Sequence, residues 1–382
     1  INNYYEVRMP LKATKWGYYP IPGLDDTTSV QWPGSNQFDV DLQELVRFKL
    51  RRSGSVATVF SEDRGNGIRW SVMGNPNLGE VKGFLVGVEN NKNDATQSIC
   101  AEVWINELRL SGLDEKGGWA GTGRLDIQIA DLGTISVSAS ARTAGFGTIE
   151  QRVNERSREY FNQFDISTNL QLGKLLPKKA AIDIPFYASY SQTVMNPEYD
   201  PYDQDVKLKD KIKTTANKDS VKNIAQDFSA VTSVNLTNVR KNKTNGKPVK
   251  IYDISNFDVS YSYTKTEKRN PLIESDVIEK HYGGLGYAYA PQPKYIEPFK
   301  KLIKYRSPWW NIIKDFNFNP RPSLLSFRAD VNRQFGAARA REVTIPGVAP
   351  SPFKIPETYD KYFVFDRVYN MRWDLTRSIN VD

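Results

Sequence analysis

Residues 164–173 read FDISTNLQLG, and apolar and polar side chains alternate along this segment. Phe164 and Ile166 belong to the apolar row, whereas Asp165 and Ser167 belong to the polar row. Successive side chains of a β-strand point to opposite faces of a sheet, so this alternation predicts a strand with one apolar and one polar face.

The same alternation recurs through the rest of the C-terminal part of the chain. The recurring segments are 125–139 (a hairpin or one bulged strand), 182–190, 228–236, 257–264, 284–289, 325–332 and 369–376. The connection 174–180 is short, whereas the connections 141–162, 192–226 and 290–322 are long. Short turns on one side of a sheet and long loops on the other are typical of transmembrane β-barrels.

Two architectures can use such strands. In a soluble sandwich the apolar rows of two sheets meet in a core. In a transmembrane barrel the apolar rows face lipid and the polar rows face a water-filled lumen. The strand lengths, the Asp, Arg and Asn residues of the polar rows, and the aromatic residues at the ends of the apolar rows favour the barrel.

The barrel interpretation assigns a face to individual side chains. The candidates for lipid-facing positions are Phe164, Ile166, Leu170, Ile184, Phe186, Phe257, Val259, Tyr261, Tyr263, Phe327, Val331 and Trp373. The candidates for lumen-facing positions are Asp165, Asn169, Asp258, Ser260, Arg328, Asp330, Arg372 and Asp374.

Composition excludes several classes of protein. The chain has 382 residues with 39% hydrophobic and 12% aromatic side chains, which is too apolar for a disordered protein. No segment approaches the roughly 18 apolar residues of a membrane-spanning helix. A single Cys and a single His exclude a disulfide framework within the chain and metal sites built from several Cys or His side chains.

The N-terminal part has shorter apolar segments separated by Gly, Pro and Asn. Residues 1–118 are therefore predicted to form a β-rich, sandwich-like soluble segment, which is a candidate cap or periplasmic insert. Within this segment, residues 41–48 (DLQELVRF) also fit a short helix. Residues 119–382 are predicted to form the barrel strands.

The chemical sites that the sequence suggests are weak, so we expect no catalytic residue, no cofactor and no metal site. Asp200, Asp203 and Asp205 resemble a loose calcium loop, but the glycine and terminal glutamate of an EF-hand are missing and a proline-ordered turn is favoured. His281 is expected at the start of a strand, as a residue of the rim. The net charge of +8 is spread over loops without a nucleic-acid motif, so no nucleic-acid partner is expected.

Six segments together resemble the SprA (Sov) family, the outer-membrane translocons of the type IX secretion system. They are 103–110 (VWINELRL), 123–133 (GRLDIQIADLG), 145–159 (GFGTIEQRVNERSRE), 196–205 (NPEYDPYDQD), 319–335 (NPRPSLLSFRADVNRQF) and 373–382 (WDLTRSINVD). They follow one another in a single order over most of the chain. Residues 1–100 contain no comparable segment, and the chain is expected to be an internal piece of a longer family member.

The resemblance implies a fold and a function. The fold is all-β, a segment of a very large antiparallel transmembrane β-barrel in the bacterial outer membrane, with loops at the cell surface and in the periplasm. The function is the export of folded proteins, including gliding-motility adhesins. The implied partners are a PorV-like outer-membrane barrel protein, a periplasmic plug protein, cargo proteins with C-terminal signal domains, and outer-membrane lipid.

Two other functions fit the alternation. One is an ordinary outer-membrane barrel that transports small solutes or presents adhesive loops. The other is a soluble carbohydrate-binding β-sandwich with Trp309 and Trp310 as a stacking platform.

Overall fold

The structure is a computed structural model. It describes residues 2–14, 28–53, 55–90, 100–114, 116–244, 248–300, 302, 308–343 and 353–382. Parts of the predicted N-terminal segment and of the predicted loop 290–322 therefore lie outside the described residues.

The described residues form strands and a few short helices. The strands are β1 (Tyr4–Arg8), β2 (Phe60–Gly65), β3 (Ile68–Met73), β4 (Ala120–Ile129), β5 (Gly133–Arg142), β6 (Glu159–Gln171), β7 (Ile182–Asp183), β8 (Pro185–Pro197), β9 (Tyr199–Asp200), β10 (Asp203–Lys207), β11 (Asp227–Lys241), β12 (Phe257–Arg269), β13 (Ile273–Tyr289), β14 (Leu324–Ala340), β15 (Thr358–Asp374) and β16 (Asn380–Val381). The α-helices are α1 (Thr28–Gln31), α2 (Leu42–Arg51), α3 (Leu208–Thr214), α4 (Lys218–Ala225) and α5 (Pro308–Lys314).

The described residues between 2 and 80, here named the N-terminal unit, pack helix α2 against a small sheet. The sheet is antiparallel with the strand order β1-β3-β2. Leu45 and Phe48 of α2 and Trp70 and Val72 of β3 are buried together as its hydrophobic core. The helix begins after Asp41, whose carboxylate accepts a hydrogen bond from the Gln43 backbone N–H at 2.8 Å. Such an N-cap satisfies one of the free N–H groups of the first turn.

The N-terminal unit differs from the sandwich that the sequence predicts for residues 1–118. Residues 42–51 form a helix because their apolar side chains recur at helical spacing after a capping Asp, so one stripe of α2 can cover the sheet. Residues 81–90 and 100–114 are extended and exposed, and they belong to no strand of the described chain.

The rest of the structure is dominated by one large antiparallel sheet. The strand order is β16-β15-β14-β13-β12-β11-β8-β6-β5-β4, and β7 pairs with β11 beside β8. Every segment that alternates in the sequence from residue 125 onwards lies in this sheet, which confirms the all-β prediction. Strands β13, β14 and β15 each have 17 residues and are longer than their alternating segments.

The sheet has two ends, and long loops emerge from both. We name the end where β5 leads into β6 end A, and the end where β4 leads into β5 end B. The connections at end A include 143–158, 198–226 and the short turn 270–272, and those at end B include 172–184, 242–256 and 290–323. The expectation that all long loops lie on one side is therefore wrong, because the long connection from β13 to β14 leaves from end B.

The hairpin between β4 and β5 depends on Gly133. Gly133 has a φ of +153°, and a Cβ atom there would overlap the backbone carbonyl oxygen of Asn169 on β6. We expect Gly133→Ala to lower the free energy of unfolding by about 1–3 kcal/mol, because the backbone of β6 would have to move. Urea unfolding in detergent measures this loss.

The matched control is Gly123→Ala on β4, where a Cβ atom meets nothing within 4 Å. That variant is expected to be neutral or slightly stabilising. Equal stability of the two alanine variants would contradict the close approach at Gly133.

Candidate functional site

The large sheet has one continuous apolar face. Side chains directly opposite each other on antiparallel strands share a face, so the pairing register identifies the members of each face. Ile166 of β6 lies opposite Val137 of β5 and Tyr190 of β8, and Val259 of β12 lies opposite Leu285 of β13. The apolar face comprises Leu125, Ile127, Ile135, Val137, Phe164, Ile166, Leu170, Phe186, Tyr190, Val234, Leu236, Phe257, Val259, Tyr261, Tyr263, Leu285, Tyr287, Leu325, Phe327, Val331, Phe363, Phe365, Tyr369, Met371 and Trp373.

The structure brings together all but one of the twelve side chains that the sequence assigns to lipid. Eleven of them lie on the apolar face, and Ile184 lies in the break between β7 and β8, two residues before Phe186. Whether this face contacts lipid stays a prediction.

Many side chains of the apolar face are exposed and the others are half-buried, whereas Tyr289, which lies opposite Leu325 on this face, is buried. Val259 is 49% exposed and Phe164 is 42% exposed, whereas the polar neighbour Ser260 is 8% exposed. The hydrophobic core cluster of the described residues lies in the N-terminal unit, and no second sheet of the described chain covers the apolar face. The burial of this sheet is thus inverted relative to a soluble β-sandwich, in which the apolar rows are covered.

Aromatic side chains form a row across the apolar face near end B. Phe257, Tyr287, Phe327 and Tyr369 lie directly opposite one another on β12, β13, β14 and β15. The ring centroids of Phe257 and Tyr287 are 4.9 Å apart, and those of Phe327 and Tyr369 are 5.0 Å apart. Aromatic pairs at such distances add to the stability of neighbouring strands.

A second row crosses the same four strands towards end A. It consists of Tyr263, His281, Arg333 and Phe363, each six residues from its counterpart in the first row. Six residues of strand span roughly 20 Å. The side chains between the two rows are almost all apolar, and the exception is Arg367, whose guanidinium carbon lies 5.2 Å from the centroid of the Phe365 ring.

His281 belongs to this second row and lies inside a strand. The sequence had suggested that it lies at the start of a strand. It lies within β13, which begins eight residues earlier at Ile273. Its ring centroid is 4.9 Å from that of Tyr263, and its Nδ1 atom is 3.1 Å from the hydroxyl oxygen of Tyr261. The alternating segment 284–289 covers only the last part of β13, so the sequence misplaced the beginning of the strand.

The opposite face of the sheet is polar. All eight candidates for lumen-facing positions lie on it: Asp165, Asn169, Asp258, Ser260, Arg328, Asp330, Arg372 and Asp374. In its middle Ser136, Ser167, Ser189 and Ser233 lie directly opposite one another across four strands. This face is lined there by small hydroxyl groups.

The carboxylates of the polar face are paired locally. Nε of Arg124 lies 2.9 Å from Oδ2 of Asp126, and Nε of Arg328 lies 2.9 Å from Oδ2 of Asp330. Arg372 and Asp374 repeat the arrangement at 3.4 Å. Each pair is separated by two residues on one strand, so both side chains point to the same face. The two-residue spacing of Arg and Asp in these pairs is visible in the sequence itself.

Hydroxyl and amide groups also donate hydrogen bonds to carboxylates of this face. Asp165 accepts hydrogen bonds from Ser138, Ser191 and Gln163. Tyr282 donates to Asp330 at 2.5 Å and accepts from Arg328 at 2.9 Å. The polar face therefore carries mixed charge, and the carboxylates of Asp126, Asp165, Asp330 and Asp374 are bound by neighbouring side chains of that face.

Two glycines of β13 make room for these polar groups. A Cβ atom at Gly286 would overlap the carboxylate of Asp258, and one at Gly284 would lie 3.0 Å from Oδ1 of Asp330. The carboxylates of the neighbouring strands therefore lie flat over the β13 backbone, and they do not project from the sheet.

The N-terminal unit is tied to the end-A loop 198–226 by a buried ion cluster. Nζ of Lys49 on α2 lies 2.9 Å from Oδ1 of Asp203 and 2.7 Å from Oδ1 of Asp205 on β10, and it donates to the Pro76 carbonyl at 3.1 Å. The side chains of Lys49 and Asp205 are 2% and 3% exposed. Asp205 also accepts a hydrogen bond from the Leu78 backbone N–H at 3.3 Å.

The cluster contains two carboxylates and one ammonium group, and it is largely buried from solvent. Burial, together with Asp205 and Asp203, raises the pKa of the Tyr5 hydroxyl well above its ordinary value. Burial is also the largest influence on Asp203, and it raises the pKa of that carboxyl although Lys49 acts in the opposite direction.

We expect mild acidification to stabilise the folded N-terminal unit. A carboxyl whose pKa is higher in the folded state binds more protons when folded, so stability falls as the pH rises through the folded-state pKa. The free energy of unfolding of the N-terminal unit should therefore rise as the pH falls from neutral towards the ordinary Asp pKa of 3.8. Urea unfolding over a pH series, followed by Trp fluorescence, measures the slope.

Asp203→Asn is expected to reduce this slope, because the amide does not titrate. Asp210→Asn, which changes a partly exposed Asp of α3, is the control for general charge effects. An unchanged slope in Asp203→Asn would contradict the role of Asp203.

The acidic segment 200–205 is thus an ion-pairing segment and not a calcium loop. Asp200 pairs with Lys211 of α3, and Asp203 and Asp205 pair with Lys49. Within the described residues no three His, Cys, Asp or Glu side chains are arranged to hold a metal ion. The sequence did not reveal Lys49, because its partner Asp205 is 156 positions away along the chain.

Comparison with known families assigns the chain to a class. The family model SprA_N, described as motility related/secretion protein, matches residues 1–212. This match covers more than half of the chain, so the chain belongs to the SprA_N family and is a motility- and secretion-related protein. It includes the N-terminal residues 1–100, in which the sequence analysis found no similar segment.

No curated protein matches the chain. In the part of the chain that the structure describes, no helix is long and apolar enough to cross a membrane.

Proposed function

We propose that the chain forms part of the wall of a protein-conducting pore in the bacterial outer membrane, through which folded proteins leave the cell by the type IX secretion pathway. The large sheet is then a segment of a very large antiparallel transmembrane β-barrel. The observation that carries the proposal is the inverted sheet, with its exposed apolar face and its paired polar face, in a chain of the motility- and secretion-related family.

The apolar face supports a position in lipid. Exposing so many large apolar side chains to water is unfavourable by about 25 cal/mol for each Å². Lipid removes this penalty, and the bond pattern of an antiparallel sheet satisfies the backbone groups within the membrane. The first row, Phe257 to Tyr369, and the second row, Tyr263 to Phe363, which also contains His281 and Arg333, are then the interfacial girdles of this part of the barrel.

The polar face supports the passage of protein. A lumen wide enough for a folded protein needs many strands, because the diameter of a barrel grows with strand number. Arg–Asp pairs such as Arg328–Asp330 keep the wall hydrated while leaving few unpaired charges to hold the cargo. The serines Ser136, Ser167, Ser189 and Ser233 and the glycines of β13 keep it smooth.

The N-terminal unit suits the role of a cap. The buried Lys49–Asp203–Asp205 cluster fixes it to the loop 198–226 at end A, which is one mouth of the proposed pore. The proposed partners are a PorV-like barrel protein, a periplasmic plug protein, cargo proteins with C-terminal signal domains and outer-membrane lipid. The proposed role requires neither a catalytic residue nor a cofactor, and it involves no nucleic acid.

Depletion of the parent protein tests this function. The secreted proteins are identified by mass spectrometry, and entry of a large antibiotic reports on the integrity of the outer membrane. We expect a whole class of exported proteins to remain in the periplasm behind an intact membrane. An unchanged set of secreted proteins would exclude the translocon and leave a solute transporter or an adhesin.

A further inference from the structure

The loop between β13 and β14 contains a compact group of exposed aromatic and aliphatic side chains at end B. On helix α5, Trp309 is 84% exposed, Trp310 is 46% exposed and Ile313 is 44% exposed. On a helix with 3.6 residues per turn these three positions fall within an arc of about 100°, with Ile313 between the two tryptophans, so they form one side of the helix. Phe299, Phe316 and Phe318 continue the group, with ring centroids 6.1 and 6.4 Å apart.

This loop is fixed to the end of the sheet by polar contacts. Ile296 and Phe318 form an antiparallel bridge at its base. Arg377, which follows β15, forms an ion pair with Glu297 at 2.9 Å, and its backbone N–H donates to the Asn317 side chain at 2.9 Å. The exposed aromatic group is therefore held at a defined place at end B.

Trp373 shows on which side of the sheet the loop returns. It belongs to the apolar face, and its indole N–H donates to the Asn319 carbonyl at 2.9 Å. Trp373 is four residues from Tyr369 of the first aromatic row, or roughly 13 Å along the strand. The loop thus meets the sheet beside the end-B border of the apolar face.

We propose that this loop, here named the aromatic loop (described residues between 295 and 318), is an interfacial anchor that lies in the headgroup region of the membrane at end B. The inference rests on the proposed function, since it places lipid against the apolar face. Trp and Tyr favour the membrane–water interface because an apolar ring and a polar N–H or O–H are both satisfied there.

The chemistry of α5 agrees with lipid as the occupant. Trp309, Trp310 and Ile313 form its apolar side, Asn311 lies on the opposite side, and Lys314 lies beside Trp310 at the border of the apolar side. A short helix with Trp on one side and a basic residue at its border is typical of segments that lie in the interface. The rings nearest to one another in this loop, those of Phe299, Phe316 and Phe318, carry no polar atom, which suits contact with lipid.

A depth measurement tests the anchor. In the full chain with its single cysteine removed by Cys100→Ser, Trp309→Cys carries an environment-sensitive fluorophore. The protein is reconstituted into vesicles of phosphatidylethanolamine and phosphatidylglycerol with bromine either near the headgroups or near the chain ends. We expect a larger loss of fluorescence with shallow bromine than with deep bromine. Ile313→Cys, one turn later, should give the same result and keeps the test usable should the first variant fail to fold.

Two further label positions separate the failure of the anchor from the failure of the proposed function. Val259→Cys lies on the apolar face between the aromatic rows and should respond most to deep bromine. Ile149→Cys lies fully exposed in the end-A loop 143–158 and should respond to soluble iodide alone. If position 309 behaves like 149 while 259 responds to deep bromine, the anchor is wrong and the barrel stands. If neither 259 nor 309 responds to bromine, both are wrong.

Discussion

Ile166→Arg is expected to lower the free energy of unfolding of the membrane-inserted protein by about 2–4 kcal/mol. Ile166 lies on the apolar face, is 37% exposed and has Val137 and Tyr190 directly opposite it. On the proposed orientation an arginine at this position has to leave its guanidinium in hydrocarbon or distort the bilayer around it. Reversible urea unfolding in lipid vesicles measures the loss.

The matched control is Ser167→Arg, one residue along the same strand. Ser167 points to the polar face, where Asp165 lies two residues away and Ser136 and Ser189 lie opposite. An arginine there stays hydrated next to a carboxylate, so we expect a change within about 0.5 kcal/mol, as for most surface substitutions. Equal tolerance of the two variants would argue against lipid at the apolar face.

Ser260 is less suitable as a control, although it is also a lumen-facing candidate. It is 8% exposed, and its hydroxyl accepts a hydrogen bond from the Asn238 backbone N–H at 3.0 Å, at the bulge between Leu236 and Val239. Ser260→Arg would therefore disturb β11 for reasons unrelated to the lumen.

The faces of the large sheet were predictable from the sequence. Side chains alternate with a period of two along any strand, so the partition into Ile166 and Ser167, or Val259 and Ser260, does not depend on which strands pair. The Arg–Asp pairs of the polar face were also visible, because residues two apart on a strand share a face. The order of the strands was not predicted, although most of them pair with their neighbours along the chain.

Features that depend on distant contacts were not predictable. The first half of β13 carries polar or charged side chains on both faces, for example Glu279 opposite Lys265, and residues 362–365 of β15 are apolar on both faces, so alternation does not mark these parts. Their length comes from pairing with β12 and β14. The aromatic rows require the register of four strands at once. Helix α2 was left open between strand and helix, and its packing on β3 agrees with the helical spacing of its apolar side chains.

The largest single effect is expected for Lys49→Met, which should lower the free energy of unfolding of the N-terminal unit by about 3–5 kcal/mol. The Lys49 ammonium is the positive partner of Asp203 and Asp205 in the buried cluster, and its side chain is 2% exposed. Methionine fills a similar volume but leaves two carboxylates close together without a counter-charge. Urea unfolding followed by hydrogen exchange of α2 and β10 measures the loss and locates it.

Two comparisons separate this effect from a general loss of charge. Arg47→Met removes an exposed cation of the same helix, which pairs with Glu44 at 2.7 Å, and should change stability by less than about 1 kcal/mol. Lys49→Met combined with Asp203→Asn and Asp205→Asn should recover much of the loss, because the buried charge is then gone. Similar stability of Lys49→Met and Arg47→Met would contradict the importance of the cluster.

The pH dependence of the stability lost in Lys49→Met identifies the cause of that loss. Without Lys49 the pKa of the Asp203 carboxyl should rise further, since burial remains and the compensating ammonium is lost. The deficit of Lys49→Met should therefore shrink as the pH falls and the carboxyl takes up a proton. If apolar packing alone held the N-terminal unit to end A, the loss of stability in Lys49→Met would not depend on pH. A loss that does depend on pH would therefore identify the buried ion cluster as the link between the N-terminal unit and the mouth of the proposed pore.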